Sequence, residues 1–121
     1  MEKTFGSFVY KKRTQKHISL RELANMIGVS AVYVSSMEKG KRAAPTYPVL
    51  MKIAEVLMLS DEEKVFMLDL AAKSKKSLTL AEDLLEYINS NKIVHEALRK
   101  AIKCNATDED WQNFIDSLSE N

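Results

Sequence analysis

Residues 19–42 read S-L-R-E-L-A-N-M-I-G-V-S-A-V-Y-V-S-S-M-E-K-G-K-R, a stretch that encodes two short helices separated by a tight turn. Ser19 has the side chain of an N-cap. Glu22, three residues later, completes a capping box for a helix carrying Leu20, Leu23, Ala24 and Ile27. Gly28 ends that helix, because a residue without Cβ adopts positive φ at little cost. Val29 plugs the turn, Ser30 caps a second helix, and Val34 and Met37, three apart, give it an inner edge. Gly40 closes it. The pattern predicts a unit that holds the helix of about residues 31–39 proud of its support.

Outward from this stretch, a chain of 121 residues suffices for one compact domain, or for a small domain with an appendage. Its 45% apolar and 29% charged content is that of a globular protein and argues against disorder. No apolar run approaches the ~18–20 residues that span a bilayer, and the N-terminus lacks the apolar segment of a signal peptide. The single cysteine, Cys104, has no partner for an internal disulfide, so the cytoplasm is the expected compartment. The net charge of +1 averages two unlike halves. Residues 1–45 hold nine Lys/Arg against three Glu, or +6, and residues 46–121 hold nine basic against fourteen acidic residues, or −5. A basic half that coincides with the two-helix stretch suits a polyanion, and an acidic half repels one.

With its flanking segments, the stretch resembles the Cro/CI-type (XRE) helix-turn-helix family of phage repressors and bacterial regulators. The matching residues are Ser19, Glu22, Leu23, Ala24, Gly28, Val29, Ser30, Val34, Glu38, Gly40, Lys41 and Arg42, and the resemblance covers about residues 5–74. It implies an all-α chain. A five-helix lambda-repressor-like DNA-binding domain would occupy residues 1–75, with the helix-turn-helix at about 19–40, and a short helical extension residues 76–121. It implies further that Ala31, Val32, Ser35 and Ser36 face base edges in the major groove. Serine hydroxyls donate or accept toward several bases, and Ala31 and Val32 pack on thymine methyls. No Arg, Asn or Gln stands among these four, so specificity leans on thymine contacts and DNA shape.

Phosphate contacts follow from the same resemblance. Lys39, Lys41 and Arg42 cluster where related chains pass the DNA backbone, with an adjacent minor groove as the alternative for Arg42. Tyr33 matches a position near the backbone, where its hydroxyl bonds a phosphate unless the ring is merely half-buried. Many family members carry Gln directly after the capping serine. Leu20 stands there in this chain, so that phosphate contact is not implied, and Arg21 is left to supply the charge. Arg13 has two roles open to it, a phosphate contact or an ion pair with Glu38. The resemblance implies the pair, which fixes the angle between the first and third helices.

The remaining chain reads as helices. Residues 5–17 carry Phe5, Phe8 and Val9 on one stripe, extended by the aliphatic stem of Lys12. Thr46 caps a fourth helix that tolerates Pro48 in its first turn and buries Leu50, Ile53, Ala54 and Leu57. Ser60 and Glu63 box a fifth, to about Lys73, whose Val65, Phe66, Leu68, Leu70 and Ala72 surround more than one face. A linker is expected over residues 74–78. Beyond it Thr79 and Glu82 box a sixth helix, a seventh follows the break at residues 89–91, and Thr107 and Asp110 open an eighth with Trp111, Phe114, Ile115 and Leu118. These ~40 residues are too few for independent stability. They are expected to dock on the fifth helix, to pair with a second chain, or both.

His17, His95 and Cys104 are scattered without metal-ligand spacing, and no phosphate loop, nucleophile elbow or dinucleotide fingerprint occurs. The carboxylates of residues 61–63 and 108–110 fall in helix first turns, where the dipole favours them. Neither a metal, a cofactor nor an enzymatic activity is expected. The expected function is a homodimeric, sequence-specific regulator of transcription, a repressor reading a palindromic site in double-stranded DNA. Dimerisation is inferred from the short recognition surface and the spare apolar area. Two other classes fit the same residues: an antitoxin that binds a toxin through residues 79–121 while repressing its operon, and an interaction module that has lost DNA binding.

Overall fold

Helix ends set the course of this chain. The computed structural model describes residues 3–76 and 79–120, and among these all regular structure is α-helical. The helices are α1 (Phe5–Gln15), α2 (Leu20–Ile27), α3 (Ala31–Glu38), α4 (Tyr47–Val56), α5 (Asp61–Lys73), α6 (Glu82–Asn89), α7 (Lys92–Cys104) and α8 (Asp108–Ser117). Capping boxes open α2, α5 and α8: Ser19, Ser60 and Thr107 accept from the N–H groups of Glu22, Glu63 and Asp110, whose carboxylates accept from the cap N–H groups in return. A fourth box, Thr4 with Ser7, opens α1. Gly28 and Gly40 take φ of +78° and +76°, in the left-handed region that reverses the chain after α2 and α3.

Several helix boundaries differ from the sequence expectation. α1 stops at Gln15 rather than His17, because His17 adopts φ +57° and the Ile18 N–H turns back to donate to the Arg13 carbonyl at 3.1 Å. Thr46 precedes α4 but makes no side-chain cap bond. The box expected from Thr79 and Glu82 does not form. Ala81 is drawn into the core at 3% exposure, so α6 starts at Glu82, and the Thr79 hydroxyl meets the Leu80 carbonyl instead. Of the expected linker, residues 77–78 lie outside the described residues, and Ser74 belongs to the end of α5.

The chain divides into two compact units, residues 1–85 and residues 86–121. The first extends past the expected boundary at residue 75, since burial of Ala81 continues its core. α2 packs on α3 and α4, and α1 packs on α3 and α5. Val9, Leu23, Ile27, Val34, Met37, Ile53, Leu57 and Met67 are fully buried at the centre. Each contributes about 1.5–3 kcal/mol relative to an exposed side chain. On α5 the core takes Met67, Leu68, Leu70 and Ala71 and leaves Val65 exposed, while Phe66 meets the Phe8 ring at 5.6 Å. The second unit contains the end of α6, then α7 and α8, joined through Asn105 in the left-handed conformation. No helix among the described residues is long and apolar enough to cross a membrane.

Glu63 ties two of these features together. Its carboxylate caps α5 and also holds the Lys12 ammonium of α1. The Lys12 hydrogen bond, then the Ser60 N–H, draw the carboxyl down to about 2 from its ordinary 4.5. A depressed carboxyl adds stability above its unfolded value and loses it as pH falls toward its folded value. Glu63→Gln is therefore expected to be destabilising at neutral pH and to flatten the acid limb of a urea-unfolding series between about pH 4.5 and 2.

Candidate nucleic-acid interface

α3 is eight residues long, too short to persist alone in water, so its position depends on what holds it. Ser30 caps its start by accepting from the Tyr33 N–H at 3.0 Å. Val34 and Met37 anchor its inner edge. At its end the Lys41 N–H reaches back to the Ser36 carbonyl at 2.9 Å across Gly40, which closes the last turn.

The helix is fastened to α1 by charge. Arg13 donates from Nε to Glu38 Oε2 at 2.8 Å and from Nη2 to Glu38 Oε1 at 3.0 Å, a two-pronged pair. A third donor, Nη1, satisfies the Ile18 carbonyl at 2.9 Å. The two side chains are only 9% and 6% exposed. The Glu38 hydrogen bond raises the guanidinium pKa despite the opposing effect of burial, so Arg13 stays charged. Arg13 is thus occupied internally and is not presented to a phosphate.

Close backbone approach fastens the same two helices near the start of α1. A Cβ on Gly6 would stand 2.4 Å from the Glu38 carbonyl oxygen and 2.5 Å from that of Met37. Only glycine allows α1 to lie this near the end of α3. Sequence reasoning missed this role, since Gly6 sits inside a helix and its partners, Met37 and Glu38, are 31 and 32 residues away.

The outer face of α3 carries the four residues expected at base edges. Val32 is 75% exposed, while Ala31, Ser35 and Ser36 are half-buried, with Ala31 packed partly on the core. The Tyr33 ring packs partly on the core, and its face is covered by the Arg42 guanidinium at 5.5 Å. That cation–π contact orients Arg42 along the end of α3 and contributes about 0.5–1 kcal/mol at an exposed site. Lys39, Lys41 and Arg42 are exposed, as is Arg21 in the first turn of α2. Leu20 packs partly on the core instead of facing out.

Two further residues belong to this surface. The Ser74 hydroxyl accepts from the Ala44 N–H at 2.9 Å and donates to the Ala71 carbonyl at 2.6 Å, pinning the loop after α3 to the end of α5. Lys76 lines one cleft of about 240 Å³ together with Lys41 and Arg42. Both fall in the stretch expected as linker, and a serine or lysine at a helix end gives no local signal of such a long-range contact. Among the described residues no group of His, Cys, Asp or Glu is arranged to hold a metal ion.

Residues 9–63 match the family model described as Helix-turn-helix. Over 57 residues the chain is 44% identical to an uncharacterized HTH-type transcriptional regulator of Mycobacterium tuberculosis, an alignment covering 47% of this chain and 40% of the relative. Over 59 residues it is 34% identical to the HTH-type transcriptional repressor RghR of Bacillus subtilis, covering 49% of this chain and 44% of the relative. The chain therefore spans less than half the length of either relative. A solved SinR protein/SinI protein complex contains a chain that aligns with 93% of this one, over 92% of its own length, at 23% identity and a TM-score of 0.48.

Two substitutions test how α3 is held. Gly6→Ala is expected to lower the unfolding free energy by about 1–3 kcal/mol, measured by urea titration, because backbone must move to admit the methyl. Arg13→Met leaves Glu38 charged and buried and is expected to lose about 3–5 kcal/mol. Adding Glu38→Met should return most of it in a double-mutant cycle.

Proposed function

From the match of residues 9–63 to the helix-turn-helix family model we infer that the chain is a sequence-specific, DNA-binding regulator of transcription of the Cro/CI (XRE) type. It acts as a homodimeric repressor. One observation carries this reading: a helix of eight residues, braced from behind by a buried ion pair, presents a small-residue face flanked by Lys39, Lys41 and Arg42. Val32 and Ala31 pack on thymine methyls, while Ser35 and Ser36 hydrogen-bond to base edges in the major groove. The Lys and Arg side chains, Arg21 and the Tyr33 hydroxyl take phosphates and set the register without reading sequence. A reading surface this small covers only a few base pairs. Two subunits on half-sites about one helical turn apart, ~34–36 Å, supply a palindromic operator of useful length.

Selection of bound duplexes from a random pool at near-physiological salt tests this directly. Enrichment of a two-fold symmetric site rich in A·T steps is expected, and recovery of an unenriched pool would sink the proposal. Separate substitutions divide the roles within it. Arg42→Ala should weaken binding to every sequence and reduce the slope of log K against log salt by about one. Ser36→Ala should change the preferred base at one position in each half-site, and an equal loss on all sites would remove Ser36 from the readers.

A further inference from the structure

Three cations from two separate segments meet at one cleft of the first unit. Lys41 and Arg42 come from the loop after α3 and Lys76 from just beyond α5, and with Thr4, Gly6 and Met37 they line a space of about 240 Å³. No carboxylate lines it. Among the described residues, no ion pair engages any of the three cations. The first turn of α1 and the end of α3 also border this space. Their dipoles have opposite sign there, so the helix ends largely cancel and the side chains set the potential.

The two segments are joined. Ser74, itself on the wall of the cleft, accepts from the Ala44 N–H, which puts Lys76 two residues beyond the joint and Arg42 two residues before it. The Tyr33 ring beneath the Arg42 guanidinium restrains the other side. Like charges held together repel one another, and a concave surface of a single sign concentrates an anion from solution.

We propose that this cleft binds one phosphate group of the DNA backbone, with Lys76 as a contact from outside the helix-turn-helix. Position favours DNA over a free phosphate. α3 rises ~10 Å from Ala31 to Glu38, and the major groove is ~12 Å wide. A helix that meets bases along its outer face therefore brings its far end, where Met37 and Gly40 border the cleft, up to a wall of the groove. The assignment rests on the DNA-binding function above and extends the footprint to the end of α5.

Lys75 is the internal control. It carries the same charge, is exposed like Lys76, and lines a different cleft beside Pro45 and Tyr47. Binding of the full chain to a random-sequence duplex is measured by fluorescence anisotropy at two salt concentrations, about 50 and 200 mM. One phosphate contact adds about 0.9 to the slope of log K against log salt, which is about 3.5-fold over this range. Lys76→Ala is expected to shrink the ratio of the two Kd values by about that factor. Lys75→Ala should leave the ratio unchanged, and Lys76→Arg should preserve it.

A wild-type ratio in Lys76→Ala, or an equal fall in Lys75→Ala, would overturn the proposal. Inorganic phosphate alone, titrated against the Lys41 and Ala43 amides in NMR spectra, separates the two sources of the anion. Shifts in those amides, with a salt ratio indifferent to Lys76, would assign the cleft to a free anion and remove the DNA contact. Sequence preference is scored separately from the random duplex. A chain without preference whose salt ratio depends on Lys76 defeats the sequence-reading function and spares this site, and a selective chain indifferent to Lys76 does the reverse. A wild type that binds no duplex at low salt defeats both.

Discussion

Two full charges, those of Arg13 and Glu38, meet beneath the surface where α1 crosses the end of α3. Withdrawing them from water is expensive, and only good geometry offsets it: two parallel hydrogen bonds between the partners and a third to the Ile18 carbonyl. An apolar contact of the same size would tolerate sliding, whereas a forked guanidinium on a carboxylate does not. Gly6 adds a second restraint by letting the helix backbones touch. Between them the pair and the glycine fix both the tilt and the depth of α3. The exposed face of that helix, and whatever it reads, inherits its accuracy from these two points.

Much of this was legible because helix ends speak through local chemistry. Ser19 with Glu22, Ser60 with Glu63, Thr107 with Asp110, and Gly28 and Gly40 all name their helix boundaries within four residues. Illegible features depend on partners distant in sequence. His17 and Met58 adopt left-handed backbone although neither is glycine, so no residue type announces the ends of α1 and α4. Thr79 and Glu82 have the spacing of a box, yet with Ala81 buried the helix starts at Glu82 itself. On α5 the apolar positions outnumber one face, and only packing chooses Met67 and Ala71 over Val65. Placement of the candidate site residues followed from the motif. Their supports, Gly6 and Ser74, did not, since each works by what another helix or loop brings to it.

The two halves of the chain divide the physical labour unequally. The first unit hides its apolar residues and wears its positive charge outside, near α3 and the loop beyond it. The second has the opposite economy, apolar residues outside and positive and negative charge sorted onto separate helices.

The hydrogen bond between the Ser74 hydroxyl and the Ala44 amide has a mechanical side. It spans a gap of thirty residues and sits at the last turn of α5, where helices fray most readily. Fraying of that turn releases the Ala44 amide and loosens the far end of the loop that carries Lys41 and Arg42. The solvent-exchange rate of a single amide, that of Ala44, is the gauge of that opening.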